Sequence, residues 1–334
     1  MFKKDKKKMK NSTKVVLTIL VVIVLVIACV LGYIYSKISK INFEAIDKND
    51  LEVNKNIYDE ISNTISKIEF NNVKSVVFFG IDTRDTEGGY SGRSDTIMVA
   101  SINPQNKGVS LVSIPRDTYV NIPGYGKDKI NHSYAFGKEQ LAIKTINSNF
   151  GLNLTEYVTI DFVGLIHVIN KLGGIELNIT NEELSYINNH SKNSYDMTGN
   201  KIKMLTSSGL VTLSGEQALT HSRNRTVGND FTRASRQRTV IEAIINKLSS
   251  LGINDIMSVS DSILSEVKTN INVTEYMGIL SKVISEKNTY LKNIVSAQIP
   301  SVDYSEGKMI NSVYYFTTDY VKAKADFIKY IYGN

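Results

Sequence analysis

Arginine and aspartate carry the chemistry that can be read from this chain. Its eight arginines are Arg84, Arg93, Arg116, Arg223, Arg225, Arg233, Arg236 and Arg238. All fall within two windows, 84–116 and 223–238, which together contain one lysine, Lys107. Elsewhere lysine is the only base. Lysine serves where any positive charge suffices, whereas the planar fork of arginine suits phosphate or carboxylate oxygens held in a fixed geometry. Acids lie close by (Asp82, Asp85, Asp95, Asp117 and Asp230), so two or three of the eight are expected in structural ion pairs.

Two aspartates stand where strands begin or end. Gly80-Ile81-Asp82-Thr83-Arg84 follows an apolar run and brings Asp82 to a strand's carboxyl end, where α/β folds place their ligands. Gly92-Arg93-Ser94-Asp95-Thr96 opens the next strand. Two such carboxylates among arginines suit a hard cation shared with phosphate oxygens, although Asp–Arg structural pairs would have the same spacing. Ser113-Ile114-Pro115-Arg116-Asp117-Thr118 reads as a strand turning into a loop that delivers Arg116 to the same rim. In His221-Ser222-Arg223-Asn224-Arg225, an extended backbone would point Arg223 and Arg225 to one side. Beyond Asp230, helical rotation puts Arg233, Gln237, Val240, Ile241, Ile244 and Leu248 on one stripe. Its lower part is apolar and faces the core. Arg233 and Gln237 head the same inward stripe, so they are expected to line a polar pocket, because a buried arginine needs partners. Arg236 is at the stripe's edge. Arg238 lies off it and reads as a surface or ion-pair residue.

Other schemes fit poorly. His132, His167, His190 and His221 have no metal spacing, and no Gly-x-Ser-x-Gly elbow, P-loop or Gly-x-Gly-x-x-Gly occurs. One cysteine, Cys29, allows no internal disulfide. The net charge of +6 resides in residues 1–14, where seven lysines face Asp5; the other 320 residues balance 32 bases with 32 acids. The folded part has no basic field of the kind nucleic acid requires.

The elements that must position these residues follow from apolar patterning. Val15–Tyr33 is uncharged, and the uncharged stretch runs on to Ser36, long enough for a membrane-spanning helix. With the lysines before it, residues 1–14 are expected in the cytoplasm and everything after Ser36 outside. A cleaved signal peptide or a lipoprotein box at Cys29 fits less well. Residues 37–72 read as an extracellular stalk. Val76–Phe79, Asp95–Ile102 and Val109–Ile114 read as strands, with a turn at 103–108. Glu139–Phe150 and Phe162–Leu172 read as helices, Tyr157–Ile160 and Ile175–Ile179 as strands, and 181–210 as a polar excursion. Ser214 with Gln217 opens a capped helix, and Asp230–Leu248 is the clearest helix. Strands alternating with helices predict an α/β domain around a mainly buried, mixed sheet. Beyond Leu251, three helical patterns and a strand, Ile294–Ile299, read as an extension packed on the domain.

Together these segments resemble the LytR–CpsA–Psr family of bacterial cell-envelope proteins. The resemblance rests on the motifs at 80–84, 92–96, 112–117 and 129–135. It continues through Leu172-Gly173-Gly174-Ile175, Leu213–Leu219, Ser222–Arg225 and Asp230–Arg233 leading to Arg236-Gln237. His132-Ser133 departs from the small residues that pattern would have. The resemblance implies an α/β/α sandwich at 73–250, held outside the cell by an N-terminal transmembrane helix in a single-pass type II topology. It implies a phosphotransferase that moves an anionic glycopolymer, such as teichoic acid, from a polyprenyl-pyrophosphate carrier in the membrane to the 6-hydroxyl of N-acetylmuramic acid in peptidoglycan. Pyrophosphatase activity would arise when water replaces the acceptor. Asp82 and Asp95 would hold magnesium (or manganese), and with Arg93 they form the implied catalytic set. Arg84, Arg93, Arg116, Arg223, Arg225, Arg233 and Gln237 would bind the pyrophosphate. The proton acceptor stays open between Asp82, Asp95 and a metal-bound group. The alternative is a non-catalytic receptor for phosphorylated lipid-linked glycans.

Overall fold

A computed structural model describes residues 42–63, 65–82, 92–191, 198–224, 230–252, 255, 264–272 and 286–333. The chain divides into two units, Met1–Ile41 and Asn42–Asn334, and the second is described here. The expected transmembrane segment lies outside the described residues; among those described, no helix is long and apolar enough to cross a membrane.

The strands run in chain order as β1 (Asn42–Phe43), β2 (Lys74–Ile81), β3 (Ser94–Asn103), β4 (Gly108–Ser113), β5 (Tyr119–Ile122), β6 (Gly126–Lys129) and β7 (Glu156–Asp161). They continue as β8 (Ile175–Ile179), β9 (Gly209–Leu213), β10 (Val267–Thr269), β11 (Ile294–Gln298), β12 (Ser305–Ile310) and β13 (Val313–Thr318). The longer helices are α1 (Ile130–Phe150), α2 (Phe162–Lys171), α3 (Asn181–His190), α4 (Gly215–Arg223), α5 (Asp230–Ser250) and α6 (Tyr320–Tyr332). Among the described residues, seven strands make one mixed sheet in the order β1-β10-β7-β2-β3-β4-β11, with three two-stranded ribbons (β5-β6, β8-β9, β12-β13) beside it. The β2, β3 and β4 runs are apolar on both faces because both faces are covered.

One face carries Val77, Phe79, Ile81, Ile97, Val99 and Val112, which pack with Ile143, Ile146 and Phe150 of α1 and Phe327 and Ile331 of α6. Each such side chain contributes about 1.5–3 kcal/mol by leaving water. On the other side, α2, α4 and α5 close over β8 and β9 through Ile169, Ile175, Leu213, Ala218 and Val240.

Helix α1 starts nine residues before the Glu139 start read from the sequence, and it is broken at Gly137 (φ −153°) and Lys138 (φ 52°). A Cβ on Gly137 would lie 2.5 Å from that of Leu141. The glycine therefore permits the break, which masked the first half's helical periodicity. Just past it, Glu139 is 1% exposed and accepts from Tyr134 Oη (2.8 Å), Thr159 Oγ1 (2.7 Å) and Lys268 Nζ (3.0 Å). This pairing lets β10 carry a buried lysine into the sheet.

Three sequence expectations change. Residues 42–72 are not a stalk: Leu51, Ile57, Ile61 and Ile65 are buried in the main core, and β1 pairs with β10. Residues 251–334 are not an appended extension, since β10 and β11 are strands of the central sheet and α6 covers one of its faces. The excursion at 181–210 holds α3, started by a capping box of Thr180 with Glu183, and the first residues of β9.

Candidate active site

Strand direction gathers the site. β7 runs parallel to β2, and β3 runs antiparallel to both β2 and β4, so β2, β4 and β7 end at one edge of the sheet where β3 begins. That edge receives Asp82 after β2, Asp161 at the end of β7, Arg116 three residues after β4, and Asp95 at the start of β3. The β2–β3 register passes from Gly80↔Thr96 to Ile81↔Ser94, leaving Asp95 as an extra residue in a bulge. Strict alternation would send Asp95 inward with Ile97 and Val99; the bulge turns it onto the opposite face.

On that face a cavity of about 370 Å³ opens between the sheet and the α2/α4/α5 layer. Its interior is apolar, lined by Phe78, Met98, Ile160, Leu165, Val240 and Ile241, and its polar end carries Asp82, Asp95, Arg223, Arg233 and Gln237. Arg233 is 6% exposed, and together with Gln237 it heads the α5 stripe as the helical rotation predicts. A second, much smaller cavity of about 20 Å³ shares Asp95, Arg233 and Gln237 with the first and adds Arg116, Asp117, Tyr314 and Phe316.

The ion pairs define the electrostatics. Arg116 Nη1 donates to Asp95 Oδ1 at 2.7 Å, and its Nε lies 3.4 Å from Asp117 Oδ2. Lys129 Nζ is 2.6 Å from Asp117 Oδ1. Burial pushes the Asp117 carboxyl upward, but the Lys129 hydrogen bond and the charges of Arg116, Lys129 and Arg233 outweigh it and hold the group below its usual range. Arg223 Nη2 is 3.8 Å from Asp82 Oδ2, and its guanidinium stacks over the Phe162 ring at 4.9 Å. Among the described residues, four bases, Arg116, Lys129, Arg223 and Arg233, are thus interleaved with four carboxylates, Asp82, Asp95, Asp117 and Asp161.

The expected residues sort as follows. Asp82, Asp95, Arg223, Arg233 and Gln237 meet in the large cavity, and Arg116 lines the small one. Arg93 is exposed and lines neither cavity; it stands just before β3 and the bulge that turns Asp95 toward the large cavity. Arg84 and Arg225 lie outside the described residues. Arg223 ends helix α4 instead of sitting on an extended segment: the Ser214–Gln217 capping box starts a helix that runs through it. Two arginines are structural. Arg236, 5% exposed, donates to Glu183 Oε1 at 2.6 Å and to the Asn224 carbonyl at 3.2 Å. Arg238 is half-buried and donates to Ser113 Oγ, so it is no surface residue, and burial lowers its pKa. Burial likewise pushes the His221 imidazole down, against the opposing pull of Glu183.

Asp161, Tyr186 and His190 also line the large cavity and were missed in the sequence. Asp161 had a signal: its carboxylate accepts from Gly164 N at 2.7 Å, the N-cap of an apolar helix that begins at the end of a strand. Tyr186 and His190 come from α3, inside the segment read as an excursion.

Carboxylates and arginines at the sheet edge and an apolar cavity behind them define an α/β protein with a charged mouth to an apolar pocket at its strands' ends. The chain belongs to the LytR_cpsA_psr family, whose pattern matches residues 29–329. It is 40% identical over 213 residues to the polyisoprenyl-teichoic acid–peptidoglycan teichoic acid transferase TagU of Enterococcus faecalis, covering 62% of this chain and 65%, just under two thirds, of that protein. It is 30% identical over 321 residues to the corresponding transferase TagT of Bacillus subtilis, covering 94% of this chain and 92% of the relative. Among solved structures, the LytR-CPS2A-psr family protein YwtF (TagT) with bound octaprenyl pyrophosphate lipid matches with a TM-score of 0.57 at 26% identity, covering 78% of this chain and 90% of that one.

Proposed function

We propose that this chain is a phosphotransferase that moves an anionic glycopolymer from a polyprenyl-pyrophosphate carrier to the 6-hydroxyl of N-acetylmuramic acid in peptidoglycan. The observation that carries the proposal is the large cavity: its apolar interior suits a polyprenyl tail, and Arg223 and Arg233 at its polar end suit the pyrophosphate. Relatives named as teichoic acid transferases, and one solved with octaprenyl pyrophosphate, support the same reading. The N-terminal lysines and the uncharged run to Ser36 favour a single-pass anchor with the catalytic domain outside the cell.

In this scheme Arg223 and Arg233 hold the phosphates, and Arg116 adds positive charge from the adjoining cavity. The acceptor oxygen bonds to the glycan-bearing phosphorus. The bond from that phosphorus to the bridging oxygen breaks, and its electron pair leaves with polyprenyl phosphate. The hydroxyl proton passes to a carboxylate of the site, Asp82 or Asp95, or to a metal-bound group. Positioning and charge neutralisation supply most of the catalysis in such transfers. Asp82 and Asp95 line one cavity, and magnesium takes one or two carboxylates with waters and phosphate oxygens, so these two residues would hold the ion. Bound there, the ion would neutralise phosphate charge.

The test uses the full chain in detergent with a polyprenyl-pyrophosphate glycopolymer labelled in the glycan, and peptidoglycan as acceptor. Label transferred to peptidoglycan, lost with Arg223→Ala and reduced by chelator, is the expected result. No transfer and no release of polyprenyl phosphate would overturn the proposal, and turnover unaffected by chelator would remove magnesium from it.

A further inference from the structure

The small cavity beside Arg116 opens toward the β12–β13 hairpin, an element the catalytic scheme does not use. We propose that this cleft seats the acceptor: one pyranose ring of a glycan lies against Tyr314, and its hydroxymethyl group reaches into the small cavity. The inference rests on the phosphotransfer reading above and adds where the second substrate binds.

Position is the first argument. The two cavities share Asp95, Arg233 and Gln237. If the tail fills the larger one, the phosphates sit at the shared wall. Attacking and leaving oxygens lie roughly in line in phosphoryl transfer, so the nucleophile approaches from the side away from the tail, where the small cavity lies.

Size is the second. A water needs roughly 10–15 Å³ of such space, and the cavity offers about 20 Å³. It admits one hydroxyl-sized group and no sugar ring. A primary alcohol on a one-carbon arm suits it, since the arm lets the hydroxyl enter while the ring stays outside.

The third is how the hairpin is held. Phe316 N donates to the Asp117 carbonyl at 2.9 Å, a bridge joins Thr118 to Phe316, and Tyr315 Oη donates to Asp128 Oδ1 at 3.3 Å. The hairpin is therefore fixed to the residues that directly follow Arg116. Alternation along β13 puts Tyr314 and Phe316 on one face. Phe316 is buried as the floor, while Tyr314 stays 40% exposed at the lip. The Tyr314 ring lies across Gly307, where a Cβ would come within 2.7 Å of its Oη and Cε2. A side chain at 307 would lift that ring, so the glycine keeps a flat aromatic surface beside the cavity. Flat aromatic surfaces suit the apolar face of a pyranose.

The experiment measures steady-state transfer by the full chain with a polyprenyl-pyrophosphate donor and soluble N-acetylglucosamine–N-acetylmuramic acid oligomers as acceptor. Release of polyprenyl phosphate to water is followed in parallel. Tyr314→Ala is expected to raise the acceptor KM by up to about tenfold, the range of one aromatic stacking contact, with the donor KM and the release to water unchanged. Tyr314→Phe should keep the wild-type acceptor KM, and Gly307→Ala should raise it with the tyrosine still present. An acceptor KM unchanged in both Tyr314→Ala and Gly307→Ala would overturn the inference and leave the phosphotransfer reading standing. So would a rise in the donor KM instead, which would give the cleft to the donor's own sugars. Absence of donor cleavage by the wild-type chain would overturn both readings.

Discussion

Arg116→Ala removes a guanidinium that contacts two carboxylates of the site, Asp95 at 2.7 Å and Asp117 at 3.4 Å. Asp117 keeps Lys129 at 2.6 Å, so the local fold should survive while the rim loses one positive charge. Two unit charges about 4 Å apart interact by about 4 kcal/mol at an effective dielectric of 20. If the transition state places about half a unit of extra charge near this position, the electrostatic loss is about 2 kcal/mol. A lost charge-assisted hydrogen bond adds about 1.5 kcal/mol or more. The sum of about 3–4 kcal/mol lowers kcat/KM by about 10²–10³-fold. Arg116→Lys restores the charge without the fork that reaches both Asp95 and Asp117, so it should recover about half of the logarithmic loss. The assay is release of polyprenyl phosphate from the lipid-linked donor, with thermal melting as the control for folding. A kcat/KM for Arg116→Ala within about threefold of wild type, in a protein that melts normally, would refute the assignment.

Other outcomes follow from the same contacts. Arg236→Met leaves Glu183 without its buried partner and should cost about 3–5 kcal/mol of stability, seen in thermal melting, while the folded fraction keeps its activity. Filling the large cavity with Ile241→Trp should weaken binding of long polyprenyl donors far more than that of a short-chain analogue; equal loss for both would count against the tail assignment. Stability should fall on acidification in two stages. His221 is held neutral in the fold, so below about pH 6.5 the unfolded chain takes up a proton that the folded chain does not, and stability drops. Asp117 and Glu183 have depressed folded values, so the stability they add is present above their unfolded values near pH 4 and is lost as pH falls through the folded ones. His221→Gln should flatten the melting temperature between about pH 7 and 5; an unchanged slope in that range would contradict the assignment to His221.

The parts of the fold that could be read were those with local signals. β2, β3 and β4 show as apolar runs because both their faces are covered, and the Arg233–Gln237–Val240–Ile241 stripe shows because a helix repeats every 3.6 residues. What escaped depended on distant partners. Leu51, Ile57, Ile61 and Ile65 are core residues; the last three recur every four positions, a helical spacing that shows no partner for the face they make. β12 is mostly exposed, so it carries no alternation to notice. β10 has three residues and contains Lys268, whose burial makes sense only beside Glu139, 129 positions away. Arg238 read as a surface or ion-pair residue because its partner, Ser113, lies 125 positions earlier. Arginine type and position had singled out Arg116, Arg223 and Arg233, and the strand-start motif Asp95; the structure places all four in the walls of the two cavities, Asp95 through a bulge that sequence patterning does not reveal. The aromatic cleft at Tyr314 depends wholly on how the hairpin docks.

The most direct test of the account is whether the tail cavity and the arginine rim hold one molecule together. Binding to the full chain in detergent should be compared for a polyprenyl pyrophosphate, the matching polyprenyl alcohol and inorganic pyrophosphate, each with wild type and with the Arg223→Ala, Arg233→Ala double variant. The account predicts that the intact lipid pyrophosphate binds far more tightly than either half, and that the double variant brings its affinity down to that of the alcohol. Equal affinity for the alcohol and the pyrophosphate in wild type, or no effect of losing both arginines, would contradict it.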